Sequence, residues 1–270
     1  MTRNVHTAER PASVSGKSIA PGRLLLVPAP LDFGCGMFAA LDDVMPRATL
    51  QAAARLQFWV CENARSLRAY LKRVDELVPL SGALQTLHIQ ELPRAVHKKG
   101  DHLGAFDATP LLAPALAGHD MGLASEAGMP AIADPGSSVV RAAHTLGVTV
   151  VPLVGPVSLL LALASSGLNG QSFSFVGYLP QEAGARSQRV RALEAVALRE
   201  GQTQLFIETP YRNAALLQTL VQTLAPSTRL SVSSGLTLPS ARTRSAAVAD
   251  WRKTPWTPDN STPTVFAIGP

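Results

Sequence analysis

Short apolar runs separated by longer amphipathic stretches recur along the chain in the order strand, helix, strand. Leu24-Leu25-Leu26-Val27 ends at Pro28, a helical pattern covers Thr49 to Leu56, and Phe58-Trp59-Val60 reads as a second strand. The next helix places Ala64, Leu67, Leu71 and Val74 on one face and Arg68 and Lys72 on another, so one stripe can pack on a sheet while the basic edge stays wet. Leu87-His88-Ile89 and Met121 to Ala124 continue as strands. A helix over Ser138 to Leu146 stops at Gly147 and leads into the strand Val148 to Val151. After a helical segment from Pro156 to Ser166, the Gly167-Leu168-Asn169-Gly170 punctuation marks a domain break. Beyond it the pattern predicts strands at Ser172–Val176, Gln204–Ile207, Leu230–Ser233 and Thr264–Ile268, with helices over Ser187–Arg199 and Asn213–Leu224. The expected organisation is a disordered tail at residues 1–21, an N-terminal α/β domain over 22–169 and a C-terminal α/β domain over 170–270.

Composition narrows the function. With 270 residues, 46% hydrophobic and 16% charged, the chain can bury a sizeable core, which excludes disorder over most of its length. The longest apolar candidate, Val151 to Leu168, is broken by Pro152, Gly155, Pro156 and two serines, so no membrane-spanning segment is expected. Cys35 and Cys61 form neither a Cys-x-x-Cys pair nor part of a histidine cluster; no metal site is read from them, and a reducing, cytoplasmic setting is the simplest fit. The net charge of +5 favours an anionic partner. Basic residues gather at Arg65, Arg68, Lys72 and Arg73 and again at Arg186, Arg189 and Arg191, where solvated helix faces are the competing reading.

The chemistry is expected in the loops that follow strands, since open α/β sheets collect ligands at the carboxyl ends of their strands. Four of these loops are dense in Gly, Pro and small polar residues: Pro28-Ala29-Pro30, Ser125 to Pro130 with Asp134-Pro135-Gly136, Val154 to Ser158, and Glu208 to Arg212. Each alone could be a tight turn; four together favour a shared cleft. A phosphate loop, the Gly-x-Gly-x-x-Gly fingerprint and a Gly-x-Ser-x-Gly elbow are all missing, which disfavours nucleotide hydrolysis, dinucleotide binding and serine hydrolysis.

The ordered set Ser125-Glu126-Ala127-Gly128-Met129-Pro130-Ala131-Ile132-Ala133-Asp134-Pro135-Gly136, Val151 to Ser158, Phe175-Val176-Gly177-Tyr178-Leu179-Pro180, Glu208 to Arg212 and Leu236-Thr237-Leu238 resembles the tetrapyrrole-methylase superfamily of S-adenosylmethionine-dependent methyltransferases. Within it, the set is most similar to the branch that methylates a cytidine ribose 2′-hydroxyl in small-subunit ribosomal RNA. The resemblance covers nearly the whole chain after Gly22. It implies two α/β domains with an S-adenosylmethionine cleft between them, a homodimer, RNA as substrate, and cofactor contacts from Pro28, Pro30, Leu31, Ser125, Ala127, Gly128, Pro130, Gly155, Pro156, Ser158, Tyr178, Leu179, Pro180, Thr209, Pro210 and Thr237. The turn Leu31 to Gly36 and the stretch Gly235 to Leu238 depart from the family's pattern. Of its acidic-then-arginine motif only Glu62 and Arg65 are kept, with Glu62 expected as base or acceptor-orienting group and Arg65 as a phosphate contact; a structural ion pair or a helix cap is the alternative. Arg212 either holds the loop at Pro210 or touches substrate. Methylation of a tetrapyrrole or another small molecule, and a non-catalytic module that binds cofactor or RNA, are the rival functions.

Overall fold

The computed structural model describes residues 20–270 apart from positions 33, 100, 102, 103, 105 and 255, so the tail expected at residues 1–21 lies almost wholly outside the described residues. The first part contains β1 (Arg23–Leu26), α1 (Leu41–Val44), α2 (Arg47–Arg55), β2 (Phe58–Cys61), α3 (Ala64–Asp75), β3 (His88–Glu91), α4 (Arg94–Lys99), α5 (Ala113–Leu116), β4 (Met121–Ala124), α6 (Ser137–Thr145) and β5 (Thr149–Pro152). Its strands pair in the order β3-β2-β4-β1-β5, and every pairing is parallel. Such a sheet needs cover on both faces. Leu25, Val27, Trp59 and Cys61 point to one face and join Leu50, Leu67 and Leu71 from α2 and α3, whereas Leu24, Val60 and Met121 join Val139 and Ala143 of α6 on the other. Trp59 lies across β4, where a Cβ at its register partner Gly122 would come within 2.4 Å of the indole; glycine is what lets the ring lie flat there.

The second part continues with α7 (Ser158–Ser166), β6 (Phe173–Tyr178), α8 (Ala183–Glu200), β7 (Thr203–Ile207), α9 (Asn213–Thr223), β8 (Arg229–Ser234), β9 (Arg242–Ala247), α10 (Val248–Lys253) and β10 (Thr264–Gly269). These strands pair in the order β6-β7-β10-β8-β9; β6 and β7 are parallel, and the other neighbours are antiparallel. Helices α8, α9 and α10 cover one face through Val190, Leu216, Leu220 and Trp251. Helix α7 covers the other, packing Leu159, Ala162 and Leu163 on Leu205, Val265 and Ala267. The packing therefore passes from the first sheet to the second at residues 154–157, ahead of the Gly167-to-Gly170 punctuation that suggested a break at 169/170. Strand β9 and helix α10 have no counterpart among the expected elements.

A candidate cofactor and acceptor cleft

Three loops at the carboxyl ends of the adjacent strands β4, β1 and β5 interlock. Ala29 and Gly128 exchange two backbone hydrogen bonds of 2.9 Å each, an isolated antiparallel bridge between the loops after β1 and β4. A Cβ on Gly155 would lie 2.3 Å from Pro28 Cγ, so the loop after β5 approaches the loop after β1 as only glycine permits. Gly128, at φ +69°, faces the Leu31 side chain and the Pro156 carbonyl. Pro28, Leu31, Gly128, Gly155 and Pro156 are thus brought together. Pro130 is buried in the wall of a neighbouring apolar cavity of about 460 Å³ that includes Leu26, Met129 and Pro152.

The backbone is strained in the loop after β4 and again in the loop after β8. Among the described residues, Ala131, Ala133 and Thr237 are the non-glycine residues at positive φ (64°, 65° and 72°), and all three lie in loops of the set that carries the resemblance. Strain of this kind costs roughly 1–3 kcal/mol per residue and collects at ligand sites. Two buried hydroxyls there, Ser125 Oγ and Thr237 Oγ1, have no hydrogen-bond partner. A buried polar group left in that state is destabilising unless something else satisfies it. These loops suit a ligand such as S-adenosylmethionine, whose adenine and methionine ends need hydrogen-bonding groups beside an apolar wall.

Beside the interlocked loops opens a cleft of about 610 Å³ lined by Pro30, Asp32, Arg65, Tyr70, Arg73 and Glu126 among others. Both Glu62 and Arg65 come from the end of β2 and the start of α3. Glu62 is half-buried, and its Oε2 accepts the Glu126 amide N–H at 3.3 Å. Arg65 is exposed at the cleft. The capping alternative is overturned, because the side chain of Asn63 accepts from the Arg65 and Ser66 amides and caps the helix itself. Glu126 in turn accepts from Ser66 Oγ at 2.7 Å. Burial together with the charges of Glu62 and Glu126 pushes the Asp134 carboxyl up to about 7, so three acids share this floor.

The second sheet supplies the facing wall. Tyr178 is 59% exposed, and its phenol is pushed up first by burial and then by the charges of Asp134, Glu208 and Glu62. The Leu179 side chain is buried in the core with Val190 and Phe206, leaving its main chain to meet a ligand. Thr209 donates to Glu208 and accepts from Arg212 Nε at 3.0 Å, while Arg212 lies 3.4 Å from Glu208 and over the Tyr211 ring. Arg212 therefore holds the Thr209-Pro210 loop. Ala127 lies within the loop after β4 and Ser158 closes the loop after β5, both half-buried, as is Pro180 after β6.

Sequence reasoning missed the opposite wall of the cleft. Asp32 is buried, and both its oxygens lie 3.0 Å from the Arg73 guanidinium, which also donates to the Ala39 carbonyl and sits over Phe38. Arg73 is no solvated helix-face charge; it straps the turn after β1 to α3. Ser66, Ala69, Tyr70 and Arg73 recur at helical spacing, a second stripe on α3 beside the apolar one, and that periodicity was the available signal.

No family model matches the sequence. The ribosomal RNA small subunit methyltransferase I of Xylella fastidiosa is 33% identical over 213 residues, which are 78% of this chain and 67% of that protein. The chain belongs to this methyltransferase I family. The protein of that name from Mesorhizobium japonicum is 34% identical over 198 residues, 73% of this chain and 60% of its own length. The chain spans about three fifths of the length of several such relatives. Among solved structures, that of the methyltransferase CobJ aligns with 92% of this chain and 94% of its own at a TM-score of 0.53 and 18% identity, so the methyltransferase I family member described here shares its fold.

Proposed function

We propose that the chain is an S-adenosylmethionine-dependent methyltransferase that modifies small-subunit ribosomal RNA at a ribose 2′-hydroxyl. The observation that carries this reading is the meeting of three interlocked loops, one of them strained at Ala131 and Ala133 and holding the unsatisfied Ser125 hydroxyl, beside a cleft that combines acids and arginines. The main chain of Pro28 to Leu31, Ser125 to Pro130 and Gly155 to Ser158 would hold the cofactor from one side, with Tyr178 to Pro180, Thr209, Pro210 and Thr237 on the other. When bound, the cofactor supplies a methyl group already activated by a sulfonium charge. The protein's task is then alignment and proton removal. Glu62, fixed by the Glu126 amide, accepts the proton of the acceptor hydroxyl as that oxygen gains the methyl group, and Arg65 at the rim holds the adjoining phosphate. Asp134 draws on the same floor of charge and keeps its own proton up to about pH 7.

A homodimer and a cytoplasmic setting complete the proposal. Leu160 and Leu161 stand exposed on α7, the apolar patch a partner copy would cover, and no helix among the described residues is long and apolar enough to cross a membrane.

The test is calorimetric titration with S-adenosylmethionine and S-adenosylhomocysteine, with NAD as control, followed by transfer of labelled methyl to small-subunit ribosomal RNA. Saturable binding of the first two and label at a 2′-oxygen are expected. Label on a tetrapyrrole acceptor with none on RNA overturns the substrate, and no binding of either cofactor form overturns the function.

A further inference from the structure

Outside the cleft, a groove of about 500 Å³ opens between α9, α10 and the segment that precedes β10, with Tyr211, Gln218, Trp256 and Asn260 on its walls. Tyr211 is 66% exposed and backed by the Arg212 guanidinium 5.0 Å from its ring. Trp256 is half-buried, and the Arg242 guanidinium stands 4.6 Å from its centroid. Two aromatic faces, each stiffened by a stacked arginine, therefore stand at one groove.

We propose that this groove is a stacking station for a nucleobase of the RNA strand, one step away from the reacting nucleotide. The inference rests on RNA being the substrate class proposed above. Charge favours that occupant over an apolar peptide. Arg212 faces Glu208 and Lys253 faces Asp250, but Arg242, Arg244 and Arg252 have no carboxylate partner among the described residues. The N–H groups of Arg244 go to the Thr254 and Asp250 carbonyls and those of Arg252 to the Val221 and Leu224 carbonyls, which leaves their positive charge uncompensated. Two acids adjoin groove residues in sequence, Asp250, which pairs with Lys253, and Asp259, which Ser261 and Thr262 hold ionised, so the three arginines leave the balance positive. Continuity favours it as well. Tyr211 directly follows Pro210 of the cofactor set, and the charge of Asp259, next to groove residue Asn260, is felt at Cys35 on the wall of the first cleft. A strand leaving that cleft past the turn at 259–260 enters the groove, where aromatic faces accept any base and the amides of Gln218 and Asn260 meet its edge.

The experiment uses tryptophan fluorescence and the anisotropy of a labelled single-stranded oligoribonucleotide drawn from small-subunit ribosomal RNA. Of the three tryptophans, Trp59 and Trp251 are buried at 1% and 2% exposure, but Trp251 also lines the groove beside Trp256, so it is the loss of quenching in Trp256→Phe that assigns the signal. Expected results are quenching on titration, its loss in Trp256→Phe, and about tenfold weaker RNA binding in Tyr211→Ala and in Arg242→Ala, with Tyr211→Phe restoring affinity and S-adenosylhomocysteine binding unchanged throughout. RNA bound without quenching, and with equal affinity by Tyr211→Ala and Arg242→Ala, overturns the groove while leaving the proposed methyl transfer standing. RNA not bound at all overturns both. A tryptophan signal that follows protein concentration and ignores RNA assigns the groove to a second copy of the chain and overturns the proposal.

Discussion

In the first sheet all five strands run one way, so the ends of β1, β2, β4 and β5 deliver Pro28, Glu62, Ser125 and Gly155 to the same edge without further device. The second sheet is mixed. Yet β6, β7 and β8 share one direction, because β8 is antiparallel to β10 and β10 to β7, so Tyr178 at the end of β6 and Thr209 and Thr237 in the loops after β7 and β8 stand at one edge. The strands that run the other way, β9 and β10, contribute none of the expected contacts. The halves also differ in how tightly their loops are held. Those of the first meet backbone to backbone, as the Ala29–Gly128 bridge and the Gly155–Pro28 approach show; in the second, a Cβ at Gly177 would meet nothing within 4 Å, whereas one at Gly235, ahead of Thr237, would stand 3.1 Å from Thr262 Cγ2. The first half acts as a fixed floor and the stretch at Gly177 as a looser wall.

The sharpest way to break this comparison is to remove the floor's chemistry and leave its shape. Glu62→Ala is expected to lower methyl transfer by roughly 10²–10⁴-fold if Glu62 takes the acceptor proton. Binding of S-adenosylhomocysteine should weaken far less than transfer, because Glu62 reaches the Ser125–Pro130 loop only through the Glu126 amide. Single-turnover transfer of labelled methyl measures the first and calorimetry the second; transfer near the wild-type rate removes the base role.

Asp134→Asn addresses the floor's charge. The carboxyl is raised from 3.8 to about 7 by burial and by Glu62 and Glu126, so the folded chain keeps a proton that the unfolded chain loses. That contribution to stability is complete below about pH 4 and is lost as pH rises to about 7. The amide does not titrate. Relative to wild type, the variant should gain on the order of 2–4 kcal/mol between pH 4 and pH 7 and hold that gain above it, read from urea unfolding at pH 4, 6 and 8. Parallel stability profiles for the two proteins would show that Asp134 ionises normally.

The alternation of apolar runs with amphipathic helices made the five strands of the first sheet and α2, α3 and α6 legible, because a parallel sheet buried on both faces demands continuous apolar strands. Strand β9 was not legible for the opposite reason: Arg242-Thr243-Arg244-Ser245 lies at a sheet edge, and its arginines are stabilised by Trp256 and Trp251, far from it in the periodic pattern. In the site, ordered motifs pointed to the loops, and the strain at Ala131, Ala133 and Thr237 falls within them. What they could not give was tertiary pairing. Asp32 and Arg73 are 41 positions apart, and nothing local in either segment announces the strap. Leu179 shows the converse: a motif residue whose side chain serves the core.

Gly155→Ala and Gly177→Ala set the two halves side by side. A methyl at 155 would sit 2.3 Å from Pro28 Cγ and 2.6 Å from its Cβ, atoms of a rigid ring that cannot rotate away, so the loops after β1 and β5 must separate. Overpacking of this kind costs about 1–3 kcal/mol, and the displaced loops should bind S-adenosylhomocysteine at least tenfold more weakly. At Gly177 the space is open, and the penalty comes only from φ of +72°, which an alanine tolerates at a cost of about 1 kcal/mol. Because that cost is local, cofactor affinity should change little. Urea unfolding and calorimetry on both variants decide the matter: a larger loss of affinity in Gly177→Ala than in Gly155→Ala would make the second sheet's loops the rigid partner and reverse the assignment of floor and wall.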